Sequence, residues 1–227
     1  MKHYDSIPKI DEDGTLKGEQ VWGFNKLDGQ NFVIAHKKKT FGPFGSRTHT
    51  VDENDEQFGN TVKWFNNSTY PDILSEIVNK HSGKKDIFTG VEEITFVFEW
   101  YGPNSFAGKH DPYDIENNLL RLALTDVFLK KKGYMEPKTY YELFNNSGIE
   151  IPELIYKGPL TSEIIEKIKN NDYTKEGCYF PNIKEGVVFK RSTLMKGQRR
   201  PSVKVKTKWW LEKLHSMYPP EKWKELE

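Results

Sequence analysis

Two apolar runs of strand length constrain the fold of this chain more than any other feature. They are Val91–Trp100, which is rich in β-branched and aromatic residues, and Leu122–Leu129. A turn, Tyr101-Gly102-Pro103-Asn104, follows the first run. Predicted helices are mixed with the strands, but the regular strand–helix–strand rhythm of a parallel sheet is missing. The pattern therefore predicts an α+β fold with largely antiparallel sheets flanked by helices.

Local patterns predict the remaining elements. Strands are expected at Asn31–Lys38, Gly186–Lys190 and Ser202–Lys206, a turn at Phe41–Gly45, and helices at Pro71–Lys80, Pro137–Phe144, Ser162–Lys169 and Trp209–Met217. The sequence contains no internal repeat and no Pro/Gly-rich linker. We therefore expect residues 1–227 to form a single domain that ends in a short C-terminal helix.

The composition is that of a soluble globular protein. Hydrophobic residues make up 36% of the 227 residues, and the 30% that are charged nearly balance at a net charge of +1. No apolar run approaches the roughly 20 residues that cross a membrane, and the first residues lack the apolar core of a secretory signal. The single cysteine, Cys178, excludes an internal disulfide and a zinc cluster, so we expect a cytoplasmic location.

The segment from Lys184 to Lys213 is strongly basic. Only two acidic residues accompany its ten cationic ones, which are Lys184, Lys190, Arg191, Lys196, Arg199, Arg200, Lys204, Lys206, Lys208 and Lys213. A run of charge is often only a solvated face. Apolar residues of strand type interrupt this run, however, so the cations are expected to project from a sheet at defined positions. The arrangement favours binding of phosphates.

Lys26, in the sequence Lys26-Leu27-Asp28-Gly29, is the candidate nucleophile. An ordinary lysine amine is protonated at neutral pH, so an attacking amine needs a lowered pKa. Lys204 and Lys206 would supply the positive field that lowers it if they fold against Lys26. The alternative interpretation is an exposed lysine before a tight turn at Asp28-Gly29.

Two glutamates and an arginine complete the set of candidates. Glu99 ends an apolar strand, where its carboxylate would contact ribose, a metal or a lysine, or form a structural salt bridge. Glu185, before Gly186, is a candidate Mg²⁺ ligand or a turn residue. Arg47 follows a glycine-rich turn and either contacts a phosphate or is exposed.

These residue types suit nucleotidyl transfer, in which positioning and charge neutralisation supply most of the catalysis. The sequence has no Walker-type loop and no Gly-x-Gly-x-x-Gly motif, which weighs against kinases and P-loop enzymes. Its six histidines form no pair with metal-ligand spacing.

The ordered set of motifs resembles the covalent nucleotidyltransferase superfamily of polynucleotide ligases and mRNA capping enzymes. Within it, the chain is most similar to phage-type ATP-dependent RNA ligases of the RNA ligase 2 branch. The resemblance extends from about Trp22 to Leu214. The motifs that carry it are Lys26-Leu27-Asp28-Gly29-Gln30-Asn31, Ser46-Arg47, the segment from Phe98 to Gly108, Leu124-Thr125-Asp126-Val127, Glu185-Gly186-Val187-Val188-Phe189-Lys190 and Lys204-Val205-Lys206.

The resemblance implies a nucleotidyltransferase (ATP-grasp-like) domain and an ATP-dependent RNA ligase with Mg²⁺ or Mn²⁺ as cofactor. Lys26 would take AMP as a phosphoramidate, and AMP would then pass to an RNA 5′-phosphate before a 3′-hydroxyl seals the strand. The catalytic residues would be Lys26, Glu99, Glu185, Lys204 and Lys206. The residues that bind ATP or AMP would be Asp28, Gly29, Asn31, Arg47, Glu99, Lys190, Lys204 and Lys206, and the metal would be held by Glu185 and, through water, by Asn31.

Two departures from the family pattern concern the base of the nucleotide. Members often have Glu before the nucleophile, where this chain has Asn25, and they place an aromatic residue near the position of Asp126, where this chain has Leu124 and Thr125. The resemblance therefore does not name the residue that stacks on adenine.

The resemblance also implies the surroundings of the enzyme. RNA ends, or a nicked duplex, are the expected partners of a monomer that contacts no membrane, in the host cytoplasm if a phage encodes it. An OB-fold or separate C-terminal domain is not expected. Two alternatives stay open, namely a ligase of DNA or DNA/RNA-hybrid nicks and a non-catalytic nucleotide- or RNA-binding module.

Overall fold

A computed structural model of the chain describes residues 6–193 and 202–226. Its strands, in chain order, are β1 (Gln20–Lys26), β2 (Gly29–Lys37), β3 (Thr40–Gly45), β4 (Thr50–Val51), β5 (Ile94–Tyr101), β6 (Arg121–Leu129), β7 (Gly133–Tyr134), β8 (Leu154–Pro159), β9 (Gly186–Arg191) and β10 (Ser202–Lys206). Its α-helices are α1 (Gly59–Asn67), α2 (Tyr70–Lys80), α3 (Pro112–Glu116), α4 (Pro137–Phe144), α5 (Ser162–Lys169), α6 (Lys208–Met217) and α7 (Pro220–Leu226), and a 3₁₀ turn spans Gly14–Leu16.

The strands form two antiparallel sheets. One has four strands in the order β10-β9-β1-β8, and the other has six in the order β4-β3-β2-β5-β6-β7. Every neighbouring pair within both sheets is antiparallel. The predicted α+β class with antiparallel sheets is therefore confirmed.

One face of the four-stranded sheet covers a core under α5. This helix begins after Thr161, whose hydroxyl oxygen accepts a hydrogen bond from the amide of Ile164 at 3.3 Å. Each buried isoleucine of α5 contributes on the order of 2 kcal/mol to stability. The residues of this core include Val21, Val187, Phe189, Val203, Val205, Ile164, Ile165 and Ile168.

The six-stranded sheet packs one face against α1, α2 and α4. Its aromatic side chains meet those of the helices, as in the edge-to-face contact of Phe65 with Phe44, whose ring centroids lie 5.9 Å apart. This larger core includes Phe32, Phe96, Phe98 and Leu124 from the sheet and Phe65, Leu74, Tyr140 and Phe144 from the helices.

The segment Phe41–Gly45 lies in strand β3, so the turn predicted there is wrong. Phe41 and Phe44 pack on the large core, and β3 pairs with β2 on one side and β4 on the other. The pairing with β2 is irregular between Ile34 and His36, opposite Gly42 and Pro43. Such an irregularity accommodates proline within a strand, because proline has no amide hydrogen to donate.

Two further outcomes concern the sequence predictions. Three cations of the predicted basic segment, Lys196, Arg199 and Arg200, lie outside the described residues. None of the helices in the described part of the chain is long and apolar enough to cross a bilayer.

Candidate active site

Lysine side chains converge where three strands of the four-stranded sheet meet in register. Lys26 on β1 lies opposite Gly186 on β9, and Gly186 lies opposite Lys206 on β10. Side chains alternate along a strand, and Val205 faces the core under α5. Lys204 and Lys206 therefore face the opposite side of the sheet, where they line a cavity together with Lys26.

Glu185 joins two of these lysines. Its Oε2 accepts a hydrogen bond from Lys26 Nζ at 2.7 Å, and its Oε1 lies 2.8 Å from Lys206 Nζ. The glutamate side chain is only 3% exposed. The next residue must be glycine, because a Cβ on Gly186 would lie 2.0 Å from the carbonyl oxygen of Val205. The close approach of β9 and β10 therefore sets the position of the glutamate.

The other wall of the cavity comes from β2 and β5 of the six-stranded sheet. Asn31 lies opposite Glu99 in their antiparallel register, so the two side chains are neighbours on one face. Asn31 Nδ2 donates to the carbonyl oxygen of Phe98 at 3.4 Å. Gly29 permits this pairing, because a Cβ there would lie 2.3 Å from the carbonyl oxygen of Trp100.

A tight turn presents Arg47 at the rim of the cavity. The hydroxyl oxygen of Ser46 accepts hydrogen bonds from the amides of Thr48 and His49, both at 3.3 Å. Ser46 is buried, whereas Arg47 is exposed beside the cavity.

Asp28 fastens the loop after Lys26 to two other parts of the chain. Its carboxylate accepts hydrogen bonds from the amides of Ala107 and Gly108, each at 2.9 Å, and from Trp210 Nε1 at 2.7 Å. We predicted Asp28 as a nucleotide-binding residue. That role stays a prediction, and Asp28 lines the cavity while its carboxylate accepts these three hydrogen bonds.

Lys190 forms an ion pair between the two sheets. Its ammonium group donates to the carbonyl oxygen of Thr125 and lies 3.1 Å from Asp126 Oδ2, and both charged side chains are almost completely buried. Its Nζ also lies 5.2 Å from the ring centroid of Tyr140. Lys190 therefore links β9 to β6, across the two sheets, and its contact with ATP stays a prediction.

Several residues around the cavity were missed by sequence reasoning. Trp210 on α6 contacts Lys206, whose Nζ lies 3.5 Å from the ring centroid of the indole and also donates to the carbonyl oxygen of Leu226 at 3.2 Å. A motif search gives no signal for such residues, because their role depends on the tertiary fold alone. Other lining residues outside the predicted motifs include Ser6, Ile7, Phe24, Pro152, Lys224 and Leu226.

All the predicted site residues line this one cavity, whose volume is about 300 Å³. They are Lys26, Asp28, Gly29, Asn31, Arg47, Glu99, Glu185, Lys190, Lys204 and Lys206. The structure thus brings together residues that are separated by up to 180 positions along the chain, although it does not test their individual roles.

Electrostatics around Lys26 oppose the expected low pKa. Burial lowers the pKa of the amine, but the carboxylates of Glu185, Glu99 and Asp28 together outweigh burial and raise it above its ordinary value. The expectation that the field of Lys204 and Lys206 lowers this pKa is therefore wrong. Lys26 is an ammonium group paired with Glu185.

The neighbouring groups titrate much closer to neutrality. Burial, only partly offset by Lys26, raises the pKa of Glu99 to about 7. Burial and the adjacent Lys206 and Lys26 lower the pKa of Lys204 to about 8. Burial also lowers the pKa of Lys206 to about 8, although Glu185 opposes this change. A small change of pH, or the binding of a charged ligand, therefore changes the net charge of the cavity.

The side-chain oxygens of the cavity suit a divalent cation that keeps part of its water shell. Within the described residues, they do not form a complete set of protein ligands for a metal. Asn31 Oδ1 is buried and has no hydrogen-bond partner within the described residues, so a metal-bound water would satisfy it. Glu185 and Glu99 supply carboxylate oxygens nearby. Among the described residues, no cluster of three or more His, Cys, Asp or Glu side chains is arranged to hold a metal. Mg²⁺ commonly binds through one or two carboxylates, water and phosphate.

The stretch of sequence that forms both walls of the cavity identifies the family. Residues 19–206, which contain all ten predicted site residues, match the RNA ligase family. The chain belongs to the RNA ligase family. This membership confirms the resemblance to RNA ligases and leaves the phage branch as a prediction.

Solved structures of Naegleria gruberi RNA ligase share the fold of this family member. The ligase with PPi matches with a TM-score of 0.61 and 16% identity, over 96% of this chain and 59% of that one. A variant with ATP and Mn matches with a TM-score of 0.60 and 17% identity, over 94% and 58%. A variant with AMP and Mn matches with a TM-score of 0.59 and 16% identity, over 94% of this chain and 58% of that one. At these identities the likeness shows the fold, and this chain spans less than two thirds of the length of those proteins.

The comparison with curated proteins gave no match.

Proposed function

We propose that this RNA ligase family member is an ATP-dependent RNA ligase that joins 5′-phosphate and 3′-hydroxyl ends through a lysyl-AMP intermediate. The observation that carries this proposal is the contact of Lys26 Nζ with Glu185 in a cavity that also contains Glu99, Lys204 and Lys206. Family membership and the ATP, AMP and PPi present in the structures of similar fold support it.

The two kinds of lining residue suit the two ends of ATP. Phe24, Pro152 and Val188 give the cavity an apolar wall for the adenine base, whereas Lys204 and Lys206 provide cations for the phosphates. Glu99 and Arg47, which also line the cavity, would orient ribose and phosphate.

In the first step, the amine of Lys26 attacks the α-phosphorus of ATP. A P–N bond forms, the bond to the β-phosphate oxygen breaks, and pyrophosphate leaves. The amine must first lose its proton to water. Burial would raise the pKa of Glu185, but Lys26 and Lys206 lower it, so this carboxylate stays ionised and orients the amine at 2.7 Å. Lys204 and Lys206 stabilise the negative charge that develops on the phosphates.

Mg²⁺ or Mn²⁺ is the cofactor that we assign to this step. Glu185, and Asn31 through a water molecule, would hold the ion. When bound, it supplies positive charge that neutralises the triphosphate and favours the unprotonated amine.

In the later steps, an RNA 5′-phosphate takes AMP from Lys26, and a 3′-hydroxyl then displaces AMP as the strand is sealed. Asp28 and Lys190 also position other parts of the site. Asp28 fixes the loop that carries Lys26, and Lys190 joins the two walls of the cavity. The single-domain organisation of residues 1–227, the monomeric state, the choice of nicked or single-stranded ends and the cytoplasmic location stay predictions.

Incubation with ATP radiolabelled at the α-phosphate, in the presence of Mg²⁺, tests the proposal. We expect covalent label on the wild type and on Lys138→Ala, an exposed lysine of α4, and no label on Lys26→Ala. The wild type should also seal phosphorylated RNA ends. Tight ATP binding without release of pyrophosphate would contradict the proposal and indicate a binding module, and faster sealing of DNA than of RNA nicks would indicate a DNA ligase.

A further inference from the structure

A second cavity adjoins the first at Lys26. It has a volume of about 440 Å³ and shares Lys26, Asp28, Glu185 and Trp210 with the cavity described above. From there it extends outward between the loop at residues 101–106 and a wall formed by Tyr173, Lys184, Trp209 and Lys213. We call this outer part the side groove. None of the residues of that wall belongs to the set predicted for ATP.

Aromatic rings line the side groove. Tyr173 and Trp209 meet edge to face, with ring centroids 4.7 Å apart and an interplanar angle of 80°. Both residues are half-buried, so each is fixed by packing and still accessible from the groove. Across the groove, Phe106 packs on Trp210 with centroids 5.4 Å apart. Rings held in this way are the platforms on which unpaired bases stack.

Cations stand beside these rings. Lys213 Nζ lies 4.3 Å from the ring centroid of Phe106 and 5.3 Å from that of Trp209. Lys184 Nζ lies 5.6 Å from the ring centroid of Tyr173 and donates to the carbonyl oxygen of Pro103 at 2.8 Å. Both lysines are exposed, so their ammonium groups are within reach of the phosphates of a strand.

The acidic residues of the side groove are already engaged. Glu185 is paired with two lysines, and Asp28 accepts three hydrogen bonds. Asp111 accepts a hydrogen bond from the amide of Tyr113 at 2.9 Å and begins helix α3. The outer wall therefore presents cations and aromatic rings to a ligand, a combination that suits a single strand of nucleic acid.

We propose that the side groove holds the 5′-phosphorylated end of the RNA strand that receives AMP, with bases against Tyr173 and Trp209 and backbone phosphates at Lys184 and Lys213. This inference rests on the proposed function. The terminal phosphate would then reach the phosphorus on Lys26. A phosphate oxygen forms the new P–O bond, the P–N bond breaks, and its electron pair returns to the nitrogen of Lys26, which takes up a proton.

The test separates AMP transfer from AMP loading. Wild type and Tyr173→Ala/Lys213→Ala are loaded with AMP from ATP, and then mixed with a single-stranded RNA oligonucleotide that carries a 5′-phosphate. Loading by ATP alone should stay within about twofold of the wild type. Transfer at low RNA concentration should fall at least tenfold and recover at saturating RNA, which indicates weaker binding with intact chemistry.

Lys167 and Tyr179 provide a matched control. Lys167 Nζ lies 4.6 Å from the ring centroid of Tyr179, so this pair has the same chemistry, but it lies outside the side groove. Tyr179→Ala/Lys167→Ala should transfer AMP as the wild type does. Equal transfer by the groove variant and the control variant would overturn the inference.

A binding measurement keeps the inference testable if loading fails. Fluorescence anisotropy with the same oligonucleotide needs no ATP, and Lys213→Glu should weaken binding at least tenfold and reduce its salt dependence by about one released counterion. Absence of AMP loading by the wild type would contradict the proposed function only. Unchanged RNA binding by Lys213→Glu would overturn the assignment of the side groove.

Discussion

At the scale of single residues, the site depends on one buried carboxylate between two lysines. Glu185 lies 2.7 Å from Lys26 Nζ and 2.8 Å from Lys206 Nζ, and the amine that is proposed to attack ATP is charged. The motifs identify these residues. The motifs do not predict whether Lys26 is protonated, because this depends on its distance from Glu185. The two residues are 159 positions apart in sequence, and only the folded chain brings them together.

Glu99 gives a prediction about stability and pH. Its pKa rises from 4.5 to about 7 on folding, so the folded protein binds this proton more tightly than the unfolded chain does. The contribution of Glu99 to the free energy of unfolding is therefore fully present below pH 4.5, and it is lost as the pH rises through about 7. Glu99→Gln removes the buried charge, so it should raise the free energy of unfolding by about 2–3 kcal/mol at pH 8 relative to the wild type.

Urea denaturation at pH 5 and pH 8 checks this prediction. The advantage of Glu99→Gln should be much smaller at pH 5, and the exposed replacement Glu76→Gln on α2 should show little difference at either pH. A Glu99→Gln variant that is less stable than the wild type at pH 8 would show that the carboxylate is stabilised by its lysine neighbour.

At the scale of elements, the sequence predicted the strands and helices whose pattern is local. The long apolar strands β5 and β6 and the helices α4 and α5 lie where their residues indicated, α4 and α5 with the predicted bounds. Strand β3 was missed because Gly42 and Pro43 are turn formers in isolation, and only its pairing with β2 and β4 makes it a strand. Helix α7 was also missed, and its carbonyl contact with Lys206 has no sequence signal.

The close approach of β2 and β5 gives a second prediction. Gly29→Ala would place a Cβ 2.3 Å from the carbonyl oxygen of Trp100, so the two strands must separate beside the site. We expect a loss of about 2–3 kcal/mol in the free energy of unfolding, together with slower labelling by ATP. Thermal unfolding and the labelling assay measure both effects.

Gly83→Ala is the matched control for that substitution. A Cβ on Gly83 has no atom within 4 Å, so this variant should unfold and label as the wild type does, within about 0.5 kcal/mol. Equal stability and equal labelling of the two alanine variants would show that neither folding nor labelling needs the close spacing of β2 and β5 at Gly29.

At the scale of the whole molecule, the cavity forms between two sheets that must keep a fixed separation. Lys26, Glu185, Lys204 and Lys206 come from the four-stranded sheet and its loop, whereas Asn31 and Glu99 come from the six-stranded sheet. Lys190 and Asp126 join the sheets through a buried ion pair at 3.1 Å. The motif of Lys190 gave no signal for this ion pair, because Asp126 lies 64 positions away along the chain.

The buried ion pair gives a third prediction. Lys190→Met or Asp126→Leu alone leaves one buried charge, so each should lower the free energy of unfolding by about 3–5 kcal/mol. The double variant removes both charges and should recover at least about 1 kcal/mol over the less stable single variant. A double-mutant cycle by urea denaturation measures the coupling.

An exposed pair supplies the comparison. Lys131 Nζ lies 2.7 Å from Glu92 Oε1 at the surface, and Lys131→Met should cost less than about 1 kcal/mol. Additive effects of Lys190→Met and Asp126→Leu would contradict the proposed cross-link.

The most direct measurement of the central claim is mass spectrometry of the intact protein after incubation with ATP and Mg²⁺, followed by peptide mapping. The account predicts a mass increase of one AMP, located on the side-chain nitrogen of Lys26 and lost on addition of pyrophosphate. An adduct on another residue, or an unmodified protein that nevertheless seals RNA, would contradict it.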